Sequence, residues 1–140
     1  MPDTFAAVPA LDIPAAASRL AGIVRRTPLI RNTNLSRRFD CNVFLKREDL
    51  QIVRSYKLRG AYNMMSQLPE PVLQRGVVCA SAGNHAQGFA WSCKKLGVRG
   101  VVFMPVITPR QKVTQTRMFG EDFIEIQGKK CGLRRIRQQQ

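Results

Sequence analysis

Two short stretches of this chain have the residue types and spacing needed for amine and carboxylate chemistry. The first, residues 55–61, reads Ser-Tyr-Lys-Leu-Arg-Gly-Ala and places Lys57 where a loop passes into a predicted helix. The second is a small-residue turn that opens another predicted helix and consists of Ser81, Ala82, Gly83, Asn84 and His85. A lysine amine attacks aldehydes, and free N–H groups at a helix start attract anions. Together the stretches suit an aldehyde cofactor and a carboxylate substrate.

Each stretch also has a purely structural interpretation. A lysine on a helix usually lies on a solvated face, whereas a reactive lysine is favoured by burial beside other cations, and Arg54 and Arg59 flank Lys57 in sequence. In the turn, Gly83 would supply backbone freedom and Asn84 would cap the helix. The residues alone leave both interpretations open.

The other candidate catalytic groups have weaker support. His85 is the only histidine and no G-x-S-x-G stretch accompanies it, so we expect it to shape the turn rather than to act as a base. Glu48 and Asp49 are neighbouring carboxylates, but they alternate with basic residues. They are therefore predicted to form a charged strand end rather than an acid–base pair.

The hydrophobic pattern predicts an α/β fold with a Rossmann-like parallel sheet and flanking helices. Helices are predicted at residues 13–24, 32–39, 55–68, 84–96 and 109–119, and strands at 43–45, 76–80, 100–104 and 123–126. From residue 76 onward, strands alternate with helices, which is typical of right-handed parallel crossovers. Ligands of such sheets bind beyond the carboxyl ends of the strands, and residues 81–85 directly follow one.

Composition narrows the function classes further. The net charge is +14, but five basic residues fall in the last thirteen and the others are scattered, which disfavours nucleic-acid binding. The four cysteines have no metal-site spacing, so no metal is expected, and Cys79 and Cys93 are predicted to be small buried hydrophobes. Without a signal sequence or a membrane-length apolar stretch, we expect a cytoplasmic protein with no membrane partner.

Residues 27–127 closely resemble the fold-type-II pyridoxal-phosphate enzymes, and most closely the biosynthetic threonine dehydratases, also called threonine ammonia-lyases. The resemblance implies a tryptophan-synthase-β-like architecture, here truncated, with pyridoxal 5'-phosphate as cofactor. It implies that Lys57 of the S-x-K-x-R-G motif holds the cofactor covalently and that Asn84 hydrogen-bonds the cofactor's ring hydroxyl. It also implies that the turn of Ser81, Ala82, Gly83, Asn84 and His85 grips the substrate carboxylate.

The activity that the resemblance implies is β-elimination of threonine to 2-oxobutanoate and ammonia, the first step towards isoleucine. A serine dehydratase or serine racemase type of enzyme is the alternative within the family. The turn that grips the substrate carboxylate does not show which substituent the substrate carries on its β-carbon. A non-catalytic fragment that binds a partner is the alternative outside it. The small-molecule substrate is thus expected to be threonine or serine, and full-length relatives are expected to form homo-oligomers.

Two features of the sequence depart from the family pattern. The family carries a run of several glycines well downstream of the asparagine turn, which cradles the cofactor phosphate, and no such run occurs here. Residues 128–140 are basic, end in glutamines and do not resemble the family. We therefore expect residues 1–127 to be the N-terminal part of a catalytic domain, 128–140 to be a disordered non-homologous tail, and the isolated chain to be an inactive fragment.

Overall fold

The computed structural model describes residues 11–129, which form a three-stranded parallel sheet, a separate two-stranded antiparallel sheet and six α-helices. The helices are α1 Ile13–Leu20, α2 Thr33–Arg38, α3 Lys57–Met65, α4 Glu70–Gln74, α5 Asn84–Leu96 and α6 Arg110–Gly120. The strands are β1 Leu29–Arg31, β2 Phe44–Lys46, β3 Val77–Ala80, β4 Gly100–Pro105 and β5 Ile124–Lys129. The tail was predicted to begin at residue 128, but Gly128 and Lys129 belong to β5 and pair with Met104 and Pro105 of β4. Residues 130–140 lie outside the described residues.

The parallel sheet has the order β3-β4-β5, which confirms the predicted α/β architecture. Val77 pairs with Gly100 at one end of the β3–β4 ladder, and Gly100 pairs with Ile124 in the β4–β5 ladder. Alternate residues of β4 are buried, so one face of the sheet carries the core. In β3, Cys79 is buried on this face, whereas Val78 is 67% exposed because it lies on the other face.

Helix α5 is the central element of the core. Its buried residues Ala86, Phe89, Ala90 and Cys93 recur at the spacing of one helix face. The helix packs against both α3 and α6. It ends as predicted at Gly97, whose positive φ of 67° allows the N–H of the next residue to reach back to the Cys93 carbonyl at 2.9 Å. Helix α5 therefore fixes the position of whatever lies at its first turn.

Several predicted boundaries were wrong. Helix α3 begins at Lys57 rather than residue 55, and its cap residue Tyr56 makes no side-chain hydrogen bond. The short helix α4, which has Pro69 as its cap residue and Pro71 in its first turn, was not predicted. The first helix ends at Leu20 instead of residue 24.

The antiparallel pairing of β1 with β2 was not predicted. Leu29 pairs with Lys46 and Arg31 with Phe44, which brings the segment before the 3₁₀ turn Glu48–Leu50 against the chain that follows α1. Within residues 11–129, no helix has the length and apolar character that crossing a membrane requires.

Candidate functional site

Lys57 is the first residue of α3, and its side chain is exposed. Its Nζ atom lies 4.9 Å from the centroid of the Tyr56 ring, a cation–π contact. Among the described residues, no carboxylate forms an ion pair with Lys57. The amine therefore lies near an aromatic ring and has no carboxylate partner among the described residues.

The second predicted stretch forms the link between β3 and α5. The Ser81 N–H donates to the Phe103 carbonyl at 3.1 Å, which extends the β3–β4 ladder by one residue, and the Gly83 N–H lies 3.4 Å from Ser81 Oγ. Gly83 occupies the cap position of α5 without a side-chain cap bond. The interpretation of Asn84 as the helix cap is therefore wrong, because Asn84 is already the first helical residue.

The start of α5 presents unpaired donors. In residues 11–129, the backbone N–H groups of Asn84, His85 and Ala86 have no hydrogen-bond acceptor, and neither has the Asn84 side-chain amide. Asn84 and His85 are exposed. These N–H groups lie at the positive end of a thirteen-residue helix, an arrangement that favours an anion.

The two stretches meet where α3 begins. A β-carbon built on Gly88 would lie 3.1 Å from the Lys57 carbonyl carbon and 3.1 Å from the Leu58 nitrogen. Gly88 is four residues after Asn84, so the two share one face of α5. The structure thus brings the Lys57 backbone against α5 one helical turn from Asn84. That both side chains bind one ligand stays a prediction.

His85 has a different environment from Lys57. Together with Met64 and Phe89 it lines an apolar cavity of about 450 Å³ between α3, α4 and β3, and Lys57 does not line this cavity. This position is compatible with His85 shaping the turn.

The structure contains a hydrogen-bonded cluster around Glu48, next to α3, that the sequence did not predict. The Glu48 carboxylate accepts two hydrogen bonds from Arg59, each 2.8 Å, one from Thr27 Oγ1 at 2.6 Å and one from Gln51 Nε2 at 3.3 Å. The hydrogen bond from Arg59, with those from Thr27 and Gln51, lowers the pKa of Glu48 to about 2 although partial burial opposes this. We refer to Glu48, Arg59, Thr27 and Gln51 as the Glu48 cluster.

Glu48 and Asp49 do not act as a carboxylate pair, as predicted. Asp49 pairs instead with Arg47 at 2.7 Å, and the side chains of Arg47 and Asp49 are 40% and 56% exposed. Thr27 and Gln51 are 5% and 3% exposed, yet each lies more than twenty residues from one of its partners. No local pattern in the sequence could have revealed that pairing.

The cysteines behave as predicted where the structure describes them. Cys79 and Cys93 are buried and unpaired, and burial raises the pKa of Cys93 to about 12. Cys41 is exposed, and Cys131 lies outside the described residues. In the described part of the chain, no group of His, Cys, Asp and Glu side chains could hold a metal ion.

Comparison with curated proteins relates the chain to threonine dehydratases. It is 62% identical over 104 residues to L-threonine dehydratase biosynthetic IlvA of Bacillus subtilis (strain 168), covering 74% of this chain and 25% of that protein. It is 54% identical over 115 residues to the protein of the same name from Halalkalibacterium halodurans, covering 82% of this chain and 28% of that protein. The chain thus spans about a quarter of the length of these relatives.

Solved structures agree with this relationship. The processed form of threonine deaminase isoform 2 from Solanum lycopersicum is 39% identical, with a TM-score of 0.70 over 86% of this chain and 37% of that one. Maize serine racemase is 29% identical, with a TM-score of 0.79 over 86% of this chain and 36% of that one. A family model described as "Pyridoxal-phosphate dependent enzyme" matches residues 20–138, and so extends beyond residue 127, where the resemblance noted in the sequence ends. The chain, with its lysine at the start of α3 and its open turn at the start of α5, belongs to the family of pyridoxal-phosphate dependent enzymes.

Proposed function

We propose that this chain forms the N-terminal part of the catalytic domain of a threonine dehydratase, which converts threonine to 2-oxobutanoate and ammonia by β-elimination. The observation that carries the proposal is the approach of Lys57 to the face of α5 that begins with Asn84. The identity to proteins named L-threonine dehydratase supports threonine as the substrate. A homo-oligomer and a cytoplasmic location stay predictions.

The residues present fit the aldehyde end of pyridoxal 5'-phosphate and the substrate carboxylate. Lys57 offers an amine without a counter-ion in the described chain, and Asn84 offers an amide without a partner there. Two residues before Lys57, the Ser55 hydroxyl is buried and has no hydrogen-bond partner. Buried hydroxyls are normally hydrogen-bonded, so this unpartnered hydroxyl is compatible with a polar ligand binding next to it.

When bound, the cofactor supplies an electron sink for the charge left on the substrate α-carbon after proton loss. The chain's own residues perform the other tasks. The N–H groups of Asn84, His85 and Ala86 bind the substrate carboxylate and so fix the direction of the α-hydrogen. Asn84 would orient the cofactor ring, and Lys57 Nζ would hold the cofactor and, once the substrate amine had replaced it there, would take the α-proton as the β-hydroxyl leaves.

The phosphate end is not accounted for by these residues. The 140 residues contain no run of glycines that could form a cradle of N–H groups. The proposal therefore assigns the aldehyde, ring and carboxylate contacts to this chain and assigns none to the phosphate.

A serine-specific dehydratase or racemase is the second candidate. The donors at the start of α5 would bind the carboxylate that all α-amino acids share, and they do not touch a β-substituent. The structural similarity to maize serine racemase supports this candidate.

A chimera tests the proposal. The matching 104-residue segment of the Bacillus subtilis threonine dehydratase would be replaced by the segment of this chain, and 2-oxobutanoate from threonine and pyruvate from serine would be measured. We expect 2-oxobutanoate to predominate, Lys57→Ala to abolish it, and Lys95→Ala on the exposed side of α5 to leave it unchanged. Turnover that survives Lys57→Ala would contradict the proposal, and a preference for serine would favour the second candidate.

A further inference from the structure

The Glu48 cluster joins three separate parts of the chain. Glu48 and Gln51 belong to the turn after β2, Thr27 follows α1, and Arg59 lies in the first turn of α3. The Gln51 side-chain amide also donates to the Arg25 carbonyl at 2.9 Å and accepts from the Arg25 N–H at 3.0 Å. The turn is thereby fixed to the chain at residues 25–27, and the Glu48 carboxylate extends from this frame to α3.

No side-chain cap holds the start of α3. Its cap residue Tyr56 makes no side-chain hydrogen bond, and the preceding Arg54 has a positive φ of 55°, a backbone conformation uncommon outside glycine. Its anchors are the close backbone contact with Gly88 of α5, the fully buried Leu58 and the Arg59–Glu48 ion pair, whose Glu48 side chain is only 15% exposed. Two parallel hydrogen bonds of this kind fix orientation as well as distance.

Arg59 and Lys57 project in different directions from α3, since residues two apart on a helix do not face each other. Holding Arg59 therefore sets the rotation of the first turn about the helix axis without occupying the Lys57 amine. A carboxylate close to the first turn is also stabilised by the helix dipole.

We propose that Glu48 is a positioning residue: through Arg59 it sets the rotation of the first turn of α3, and so it aims the Lys57 amine across the face of α5 that carries Asn84. This inference rests on the proposed role of Lys57 as the cofactor lysine. Glu48 touches neither substrate nor cofactor in this assignment and acts only through α3.

The chain offers a matched control beside Glu48. Asp49 carries the same charge at the next position and also forms a two-bond pair with an arginine, at 2.7 and 2.8 Å. Its partner Arg47 lies in the same turn, and their side chains are more exposed than that of Glu48, so this pair connects nothing to α3. Asp49→Asn removes one negative charge at the same place in sequence but leaves the Glu48 cluster intact.

The test compares Glu48→Gln with Asp49→Asn in the 140-residue chain through two measurements. In the first, the chain is incubated with increasing concentrations of pyridoxal 5'-phosphate and reduced with borohydride. The concentration that gives half of the maximal label at Lys57 per folded molecule is then determined. The second, made without cofactor, is hydrogen exchange of the amides in the first turn of α3. In Glu48→Gln we expect the half-labelling concentration to rise about tenfold or more and exchange to accelerate, whereas Asp49→Asn stays within about twofold of the wild type.

The outcomes separate the inference from the proposed function. If wild-type Lys57 is labelled and Glu48→Gln matches Asp49→Asn in both measurements, the positioning role is wrong while the proposed function stands. If wild-type Lys57 is not labelled even at pyridoxal 5'-phosphate concentrations about a thousandfold above those that saturate a full-length relative, the proposed function and the inference both fail. Should Glu48→Gln not fold, Arg59→Lys keeps the charge but loses the paired hydrogen bonds, and half-labelling equal to that of the wild type would overturn the role.

Discussion

Gly88 of α5 lies directly against the backbone of Lys57, so that a β-carbon on Gly88 would stand 3.1 Å from the Lys57 carbonyl carbon. This contact lets the start of α3 approach the first turns of α5. A larger residue at position 88 would push the start of α3, and Lys57 with it, away from α5. The geometry of the candidate site therefore depends on position 88 being a glycine, which has no side chain.

We expect Gly88→Ala to lower the free energy of unfolding by about 1–3 kcal/mol, because the new methyl group meets backbone atoms that cannot rotate away. Urea denaturation measures the change. Gly60→Ala is the control, since Gly60 lies in α3 with open space around its α-carbon. It is expected to raise the free energy of unfolding by about 0.5–1 kcal/mol. A Gly88→Ala protein as stable as the wild type would refute the close contact.

The Glu48 cluster predicts a specific pH dependence. The folded state lowers the pKa of Glu48 from 4.5 to about 2, so the folded protein releases this proton more readily than the unfolded chain does. The resulting stabilisation is present above about pH 4.5 and is lost as the pH falls towards 2. It amounts to on the order of 2–3 kcal/mol.

Urea denaturation between pH 2 and 6 would measure this effect as the difference between the wild type and Glu48→Gln. We expect that difference to shrink as the pH falls through the window, whereas the Asp49→Asn protein follows the wild type closely because its ion pair is exposed. A difference between wild type and Glu48→Gln that is independent of pH would argue against an ionised Glu48 in the cluster.

The cysteines are expected to differ in reactivity. In a Cys131→Ser background, alkylation of the native protein should modify the exposed Cys41 first. Cys93 should be protected, because it is fully buried and burial raises the pKa of its thiol to about 12, leaving roughly one molecule in ten thousand as thiolate at pH 8. Mass spectrometry of the alkylated peptides provides the measurement, with denatured protein as the control. Equal rates at Cys41 and Cys93 in native protein would contradict the core described above.

We expect the 140-residue chain by itself to turn over threonine negligibly, although it carries Lys57 and the donors of α5. Without a cradle for the phosphate, the cofactor would lose several charge-assisted hydrogen bonds, each worth roughly 1.5–3 kcal/mol. Three such bonds correspond to a loss of cofactor affinity of about three powers of ten or more. Assays of 2-oxobutanoate at saturating threonine measure the rate. A rate close to that of the Bacillus subtilis relative, dependent on Lys57, would overturn this expectation.

Local signals made much of the fold predictable from the sequence. The limits of α5 follow from its apolar spacing and from Gly97, and β4 follows from an apolar run that ends at Pro105. The parallel order of β3, β4 and β5 follows from the alternation of strands and helices. These elements position residues 81–85, so that half of the candidate site was predictable.

The other half depends on contacts between residues distant in sequence. Nothing near Ser55 indicates that its hydroxyl is buried while Tyr56 occupies the cap position. The pairing of β1 with β2 joins two strands of only three residues each, too short for an alternating pattern to identify the register. The bonds from Thr27 and Arg59 to Glu48 cross 21 and 11 residues of chain, and only the folded chain reveals them.

The most direct test of the central claim is the site of cofactor attachment. The purified chain would be incubated with pyridoxal 5'-phosphate and reduced with borohydride, and the modified lysine would be identified by peptide mapping. We predict label at Lys57, its loss in Lys57→Ala, and its retention in Lys95→Ala, where the replaced lysine is an exposed residue of α5. Label found mainly on another lysine, or undiminished in Lys57→Ala, would contradict the account.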